Sequence, residues 1–201
     1  MRRLFLITLF LIMGTAVALA VYVRSHGFSA RQEQSRVEAF VARRVRSFAI
    51  PPDVRDTINP VKFGPEILSE AREHFADHCA SCHANDGSGD TSIGKGLYPR
   101  PPDMRQTATQ QLSDGEIYWV IHNGIRFTGM PAFGEDKPGT PDEDSWKLVH
   151  FVRHLPNITE EELQSMKKLN PKSSADLEEE EQIRRFLAGE DIPAIDPARH
   201  H

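Results

Sequence analysis

The sequence predicts an all-α protein with a membrane-length helix at its start. Three observations carry that reading. Leu4 to Val23 is an uncharged run of twenty residues, apolar on every side. Beyond it, apolar residues recur at three- and four-residue spacing, with capping boxes at Ser113/Glu116 and Thr159/Glu162. No stretch alternates as a strand does. The 201 residues suit one domain of ordinary size plus extras. Against 29 Asp+Glu stand 24 Lys+Arg, a net charge of −5, which argues against a nucleic-acid binder. With 39% apolar and 26% charged residues the chain is neither multispanning nor disordered. Two cysteines cannot build a disulfide scaffold or a four-thiolate metal site. The charge is uneven: net +6 over residues 1–64, −6 over 65–155 and −5 over 156–201.

The first element is residues 1–26, a signal anchor or transmembrane helix. Twenty residues at 1.5 Å each span about 30 Å, the thickness of a bilayer's hydrocarbon core. A retained anchor is the preferred reading. A cleaved signal peptide is the other, because Ala16-Val17-Ala18 and Ala18-Leu19-Ala20 resemble cleavage sites. Arg24, Arg31, Arg36 and Arg43 outnumber Arg2 and Arg3, so the arginine count alone would keep the following residues in the cytoplasm.

Residues 27–62 form a basic amphipathic helix and a Pro-containing strap. Val37, Phe40, Val41, Val45 and Phe48 give Ser29 to Phe48 a helical stripe among arginines. Two partners suit it equally: a lipid surface, or a protein face. Pro51-Pro52 ends it, and an extended strap runs to Lys62. Pro65 to His78 is the next helix, with its apolar stripe at Ile67, Leu68, Ala71 and Phe75. A Gly-rich loop follows, then Tyr98-Pro99-Arg100-Pro101-Pro102, which is neither helix nor central strand. Ser113 to Asn123 and Asp144 to Leu155 are helices, stopped by Gly124 and Pro156. Residues 157–201 are a charged helical tail. One helix runs from Thr159 to about Leu169. A second spans Ala175 to Ala188, with Glu180–Arg184 and Glu181–Arg185 at i,i+4. Docking and solvation both suit this tail, and His200-His201 is too short for a metal site.

Residues 63–156 hold short helices and long loops, and something besides side chains must fill their middle. Cys79-Ala80-Ser81-Cys82-His83 supplies the reason. It is C-x-x-C-H, the attachment pattern of c-type haem. Two cysteines three apart reach two vinyl groups, and the histidine falls under the iron. A thioredoxin-like pair would need a βαβ context. A zinc site from His78, Cys79, Cys82 and His83 would need adjacent residues to converge. A disulfide would leave the loops unfilled. For the sixth iron position the candidates are Met104, Met130, Met166, His122, His150 and His154. Met130 is preferred, because Gly129 and Pro131 free its backbone from a helix. Met/His ligation leaves no open position and raises the reduction potential.

Residues 63–156 resemble a class I c-type cytochrome. The matching pieces are Phe75, Cys79–His83, Gly94-Lys95-Gly96-Leu97-Tyr98-Pro99, Ile117–Ile121, Gly129-Met130-Pro131 and Trp146–Arg153. The resemblance implies the small all-α cytochrome fold, its first and last helices crossing near Phe75 and the Trp146/Val149 face. It implies one covalent haem c and a pocket lined by Leu97, Pro99, Trp119 and Ile125. It also puts Arg100 or Tyr98 within reach of a propionate, although a solvent-facing Arg100 fits the sequence as well. Because such haem is attached outside the bacterial cytoplasm, it places residues 24–201 in the periplasm, against the arginine count. The function expected is electron transfer, by a membrane-anchored carrier or a cytochrome subunit of a respiratory or dehydrogenase complex. Its partners would be the membrane, through the N-terminal helix, and redox proteins as donor and acceptor, with no nucleic acid. The alternative is a haem-based gas sensor or small peroxidase in which Met130 is displaced.

Overall fold

The uncharged run gives the longest helix among the described residues, α1 (Arg2–His26), whose side chains from Arg2 to Tyr22 lie open. Arg2–Ser25 is long and apolar enough to cross a membrane. In this computed structural model residues 2–27, 29–134, 142–172 and 174–189 are described. Among them there are helices and turns and no strand.

Helix α2 (Arg36–Ala49) starts seven residues later than the apolar periodicity suggests. The reason is a capping box. Ser35 Oγ accepts the Glu38 N–H, and the Glu38 carboxylate accepts the Ser35 N–H at 2.7 Å. Past α2, the chain is docked rather than simply extended. Ile50 is buried, and Pro52–Arg55 makes one turn, α3. That turn sits on the start of α8 (Asp114–Asn123). A Cβ on Gly115 would stand 1.9 Å from the Val54 carbonyl oxygen, so only glycine fits there. Ser113 Oγ donates to the Arg55 carbonyl at 2.7 Å, and Arg55 Nε lies 3.4 Å from Glu116. Further along, Asn59 Nδ2 donates to the Trp146 carbonyl, and His150 Nε2 donates to the Val61 carbonyl.

The core lies between α4 (Pro65–His74), α8 and α9 (Glu143–His154). Phe75 and Phe151 meet at 4.9 Å between ring centroids, and both are buried. Ala71, Ala76, Leu148, Val149 and Val152 fill the crossing around them. Tyr118 stacks on Trp146 at 4.1 Å, joining α8 to α9. Each buried Leu or Phe here contributes about 1.5–3 kcal/mol by leaving water.

The tail divides in two. Helix α10 (Glu160–Lys167) belongs to the same core, because Met166 is completely buried. Glu162 lies 3.5 Å from Arg72 and 2.9 Å from His154, and Asn85 and Asn170 bond to each other. Helix α11 (Ser174–Leu187) keeps Leu177, Ile183, Phe186 and Leu187 exposed. Arg184 pairs with Glu181, one turn back at i,i+3. The Glu180 side chain and His200-His201 lie outside the described residues.

Candidate functional site

The C-x-x-C-H segment sits where α4 gives way to a wider, π-type turn, Phe75–Cys79, followed by the single turn α5 (Ala80–His83). Its backbone is bonded on all sides. The Phe75 carbonyl accepts from Ala80 N–H and the Ala80 carbonyl from Ala84 N–H. The Cys82 carbonyl accepts from Thr91 Oγ1, and the His83 carbonyl from Gly89 N–H at 2.8 Å. The loop after His83 therefore wraps the motif, ending in α6 (Ser92–Lys95) with Thr91 as its cap. A Cβ on Gly94 would lie 2.6 Å from the Gly89 carbonyl oxygen and 2.7 Å from that of Cys82.

Met130 lies on the loop that leaves α8. Ile125 N–H bonds the Met130 carbonyl at 3.0 Å, and Thr128 Oγ1 accepts the Met130 N–H at 3.1 Å. Phe133 and Gly134 then bond back to the carbonyls of Ile121 and His122. Met130 is half-buried. Leu97 lies against this loop, with Cδ2 2.6 Å from where a Cβ on Gly129 would be. The strap 94–97 thus touches Cys82 at one end and the Met130 loop at the other. Pro99, Trp119 and Ile125 are half-buried, while Tyr98 and Arg100 are exposed.

The other ligand candidates are engaged elsewhere. His122 Nδ1 is 2.6 Å from Asp142, His150 bonds the Val61 carbonyl, and His154 bonds Glu162. Met166 is closed into the core by α10, and Met104 packs against that core from outside.

Residues 67–152 match the family described as cytochrome C oxidase, cbb3-type, subunit III. Residues 67–152 form a class I cytochrome c domain. No curated protein matches the chain. The cytochrome family implies covalently bound haem c and haem-based electron transfer.

The residues of the cytochrome domain fit that group. His83 is buried, and its Nδ1 has no partner. Burial pushes its pKa down to about 4, so the imidazole is neutral, the form that ligates iron. Burial, and secondarily the neighbouring Cys82, pushes the Cys79 thiol up to about 12. Both cysteines are free of any disulfide. The zinc reading finds no support. His78 turns to Asp77 at 3.3 Å and stacks edge-on with His74. Among the described residues no three His, Cys, Asp or Glu gather as a metal site.

Sequence reasoning missed three features of the cytochrome domain's surroundings. The first is the His122–Asp142 pair, half-buried between α8 and the cap of α9. Twenty residues separate its members, so no local pattern exposes it. The second is a pair of acids upstream. The Glu38 carboxylate faces the Tyr98 hydroxyl and raises its pKa, and Glu33 lies 3.4 Å from Arg100. The Ser35-x-x-Glu38 pattern was legible as a cap, but not its second partner. The third is Phe127, which is 94% exposed at φ 61° on the Met130 loop.

Proposed function

We propose that this chain is a single-haem electron carrier held at a membrane by α1, with its redox domain in the periplasm. Residues 1–26 form the anchor, 27–62 the link, 63–156 the redox domain and 157–201 a tail. Cys79 and Cys82 would hold the haem through thioethers, and His83 and Met130 would ligate its iron. Bound there, the haem supplies a one-electron couple between ferric and ferrous iron. The protein's part is to keep both ligands in place and to exclude water from His83. Leu97, Pro99, Trp119 and Ile125 line the pocket, and Tyr98 or Arg100 borders its propionate edge. Exposed Phe127 offers a redox protein an apolar contact beside Met130. The name of the matched family also raises membership of an oxidase complex. The match covers less than half of the chain, so a free carrier and a complex subunit both remain within this proposal.

The observation that carries the ligand assignment is the placement of the alternatives. Three histidines have bonds to other groups, Met166 is sealed in the core, and Met130 stays on a non-helical loop beside Leu97. The test is a spectrum. The ferric protein is expected to show a sulfur-to-iron charge-transfer band, and the ferrous form to leave carbon monoxide unbound. Rapid carbon monoxide binding would instead mark a sensor or peroxidase and overturn the carrier.

A further inference from the structure

A helix that docks on its own domain ordinarily buries its apolar face. Helix α2 does the reverse. Val37, Phe40, Val41, Val45 and Phe48 are between 51% and 91% exposed. The partly covered residues are instead Ala39, Arg46 and Ser47. The helix is tied to the rest of the chain by polar groups. The Ser47 carbonyl takes a hydrogen bond from Arg55, and just before the helix Glu33 lies 3.4 Å from Arg100. The apolar stripe is thus turned away from the cytochrome domain.

The chemistry of that outward face points to one occupant. Arg36 and Arg43 flank the stripe, and the Arg44 guanidinium lies 5.2 Å from the Phe40 ring centroid. The helix has one acid, Glu38, and it is engaged with Ser35 and Tyr98. Aromatic and branched side chains edged by arginines suit a bilayer surface with anionic headgroups. Long arginine stems can lie along the apolar layer while their charges reach phosphate. Position agrees with chemistry. Nine residues separate His26, the end of α1, from Arg36. That length spans at most about 30 Å, so a membrane holding α1 is within reach of α2.

We infer that α2 lies flat on the anionic surface of the membrane that holds α1. Val37, Phe40, Val41, Val45 and Phe48 enter the acyl boundary, and Arg36, Arg43 and Arg44 meet phosphate oxygens. Through the Glu33–Arg100 pair, this holds the 98–100 edge of the cytochrome domain on the membrane side. The inference rests on the anchor reading of α1 and is independent of the haem ligands.

Site-specific photocrosslinking in the full-length holoprotein tests it. Phe48→benzoylphenylalanine and, as control, Gln164→benzoylphenylalanine are illuminated in native membranes and analysed by mass spectrometry. Phospholipid adducts at position 48 are expected to exceed those at 164 by about tenfold. A discrete protein adduct at 48 would assign the face to a partner subunit and overturn the inference. So would lipid labelling no greater than at 164. Alkaline extraction keeps the two readings apart. A chain released from the membrane defeats the anchor, whereas one retained without lipid adducts defeats only α2. A second measurement uses full-length chain in nanodiscs containing phosphatidylglycerol. Amide exchange over 36–49 is expected to slow about tenfold relative to neutral discs. That protection should be lost in Phe40→Ser/Phe48→Ser, whose substitutions fall on exposed positions. Equal exchange in both discs would also overturn the inference.

Discussion

The segment around His83 and the loop around Met130 differ in what holds their backbone. Around His83, the carbonyls of Phe75, Ala80, Cys82 and His83 all accept bonds, and Gly94 packs directly on two of the local carbonyls. The Met130 loop is held by a clasp at each side. One joins residues 125 and 130; the other returns 133 and 134 to the end of α8. The first segment is shaped by the fold for attachment. The second is shaped by a few bonds that single substitutions can release. On the proposed assignment, haem retention and the His83 ligand rest on the first segment, and the Met130 ligand on the second.

The largest effect separates those parts. Replacing both Cys79→Ala and Cys82→Ala is expected to abolish haem staining after denaturation. Met130→Ala is expected to leave that staining at full strength. The same Met130→Ala change should lower the reduction potential by on the order of 0.1–0.3 V, because loss of the thioether removes a ligand that favours ferrous iron. A potentiometric titration of the Met130→Ala holoprotein checks this, and an unchanged potential would remove Met130 from the ligand set.

A smaller effect is expected where the Met130 loop is closed. His122 and Asp142 stand at the two ends of the chain that carries Met130, 2.6 Å apart and largely shielded from solvent. His122→Ala would leave the Asp142 carboxylate, among the described residues, to its cap bonding with Ser145. The expected cost is about 1–3 kcal/mol in denaturant unfolding. The charge-transfer band should weaken on mild heating before the helical signal falls. Burial works to raise the Asp142 pKa, but the bonds from Ser145 and His122 outweigh it and hold the carboxyl below its ordinary 3.8. A depressed carboxyl stabilises the fold above its unfolded pKa, and the gain is lost as pH falls through the folded value. Asp142→Asn should therefore flatten the acid limb of the stability profile. An acid limb as steep as the parent's would deny the pair this role.

How far the sequence was legible follows the same division. Helix starts written in adjacent residues were readable, as at Ser113/Glu116 and Thr159/Glu162, where both capping boxes form. The crossing of Phe75 with the Trp146/Val149 face followed from helical spacing combined with the family resemblance. Relations across the chain were not readable. Met166 looked like part of a solvated tail, since six of the eight residues of α10 are polar or charged, yet its side chain completes the core. The strap looked extended because prolines interrupt it, while Val54 and Asn59 fasten it to α8 and α9. Periodicity reports which face is apolar. It does not report that α2 turns that face outward.

The smallest expected effect sharpens the attachment side of the comparison. Arg105 binds Asp103 and, at 2.8 Å, Asp86 on the loop that follows His83. It thereby ties the segment that follows Tyr98-Pro99-Arg100-Pro101-Pro102 to the loop around the motif. The Arg105 guanidinium, aided by Gln106 and the Arg105 N–H against a burial penalty, holds the Asp103 carboxyl down at about 2. Its stabilisation is present above the unfolded value of 3.8 and lost as pH falls toward about 2. The groups are about a quarter to a third exposed, so solvent screening limits the gain to less than about 1 kcal/mol. Asp103→Asn should lower the melting temperature slightly at pH 7 and bring it close to the parent's only at about pH 2. The charge-transfer band should hold at both pH values, because the tie lies on the His83 side. A band lost along with the tie would mean that the attachment segment and the Met130 loop are coupled through the strap, rather than held separately.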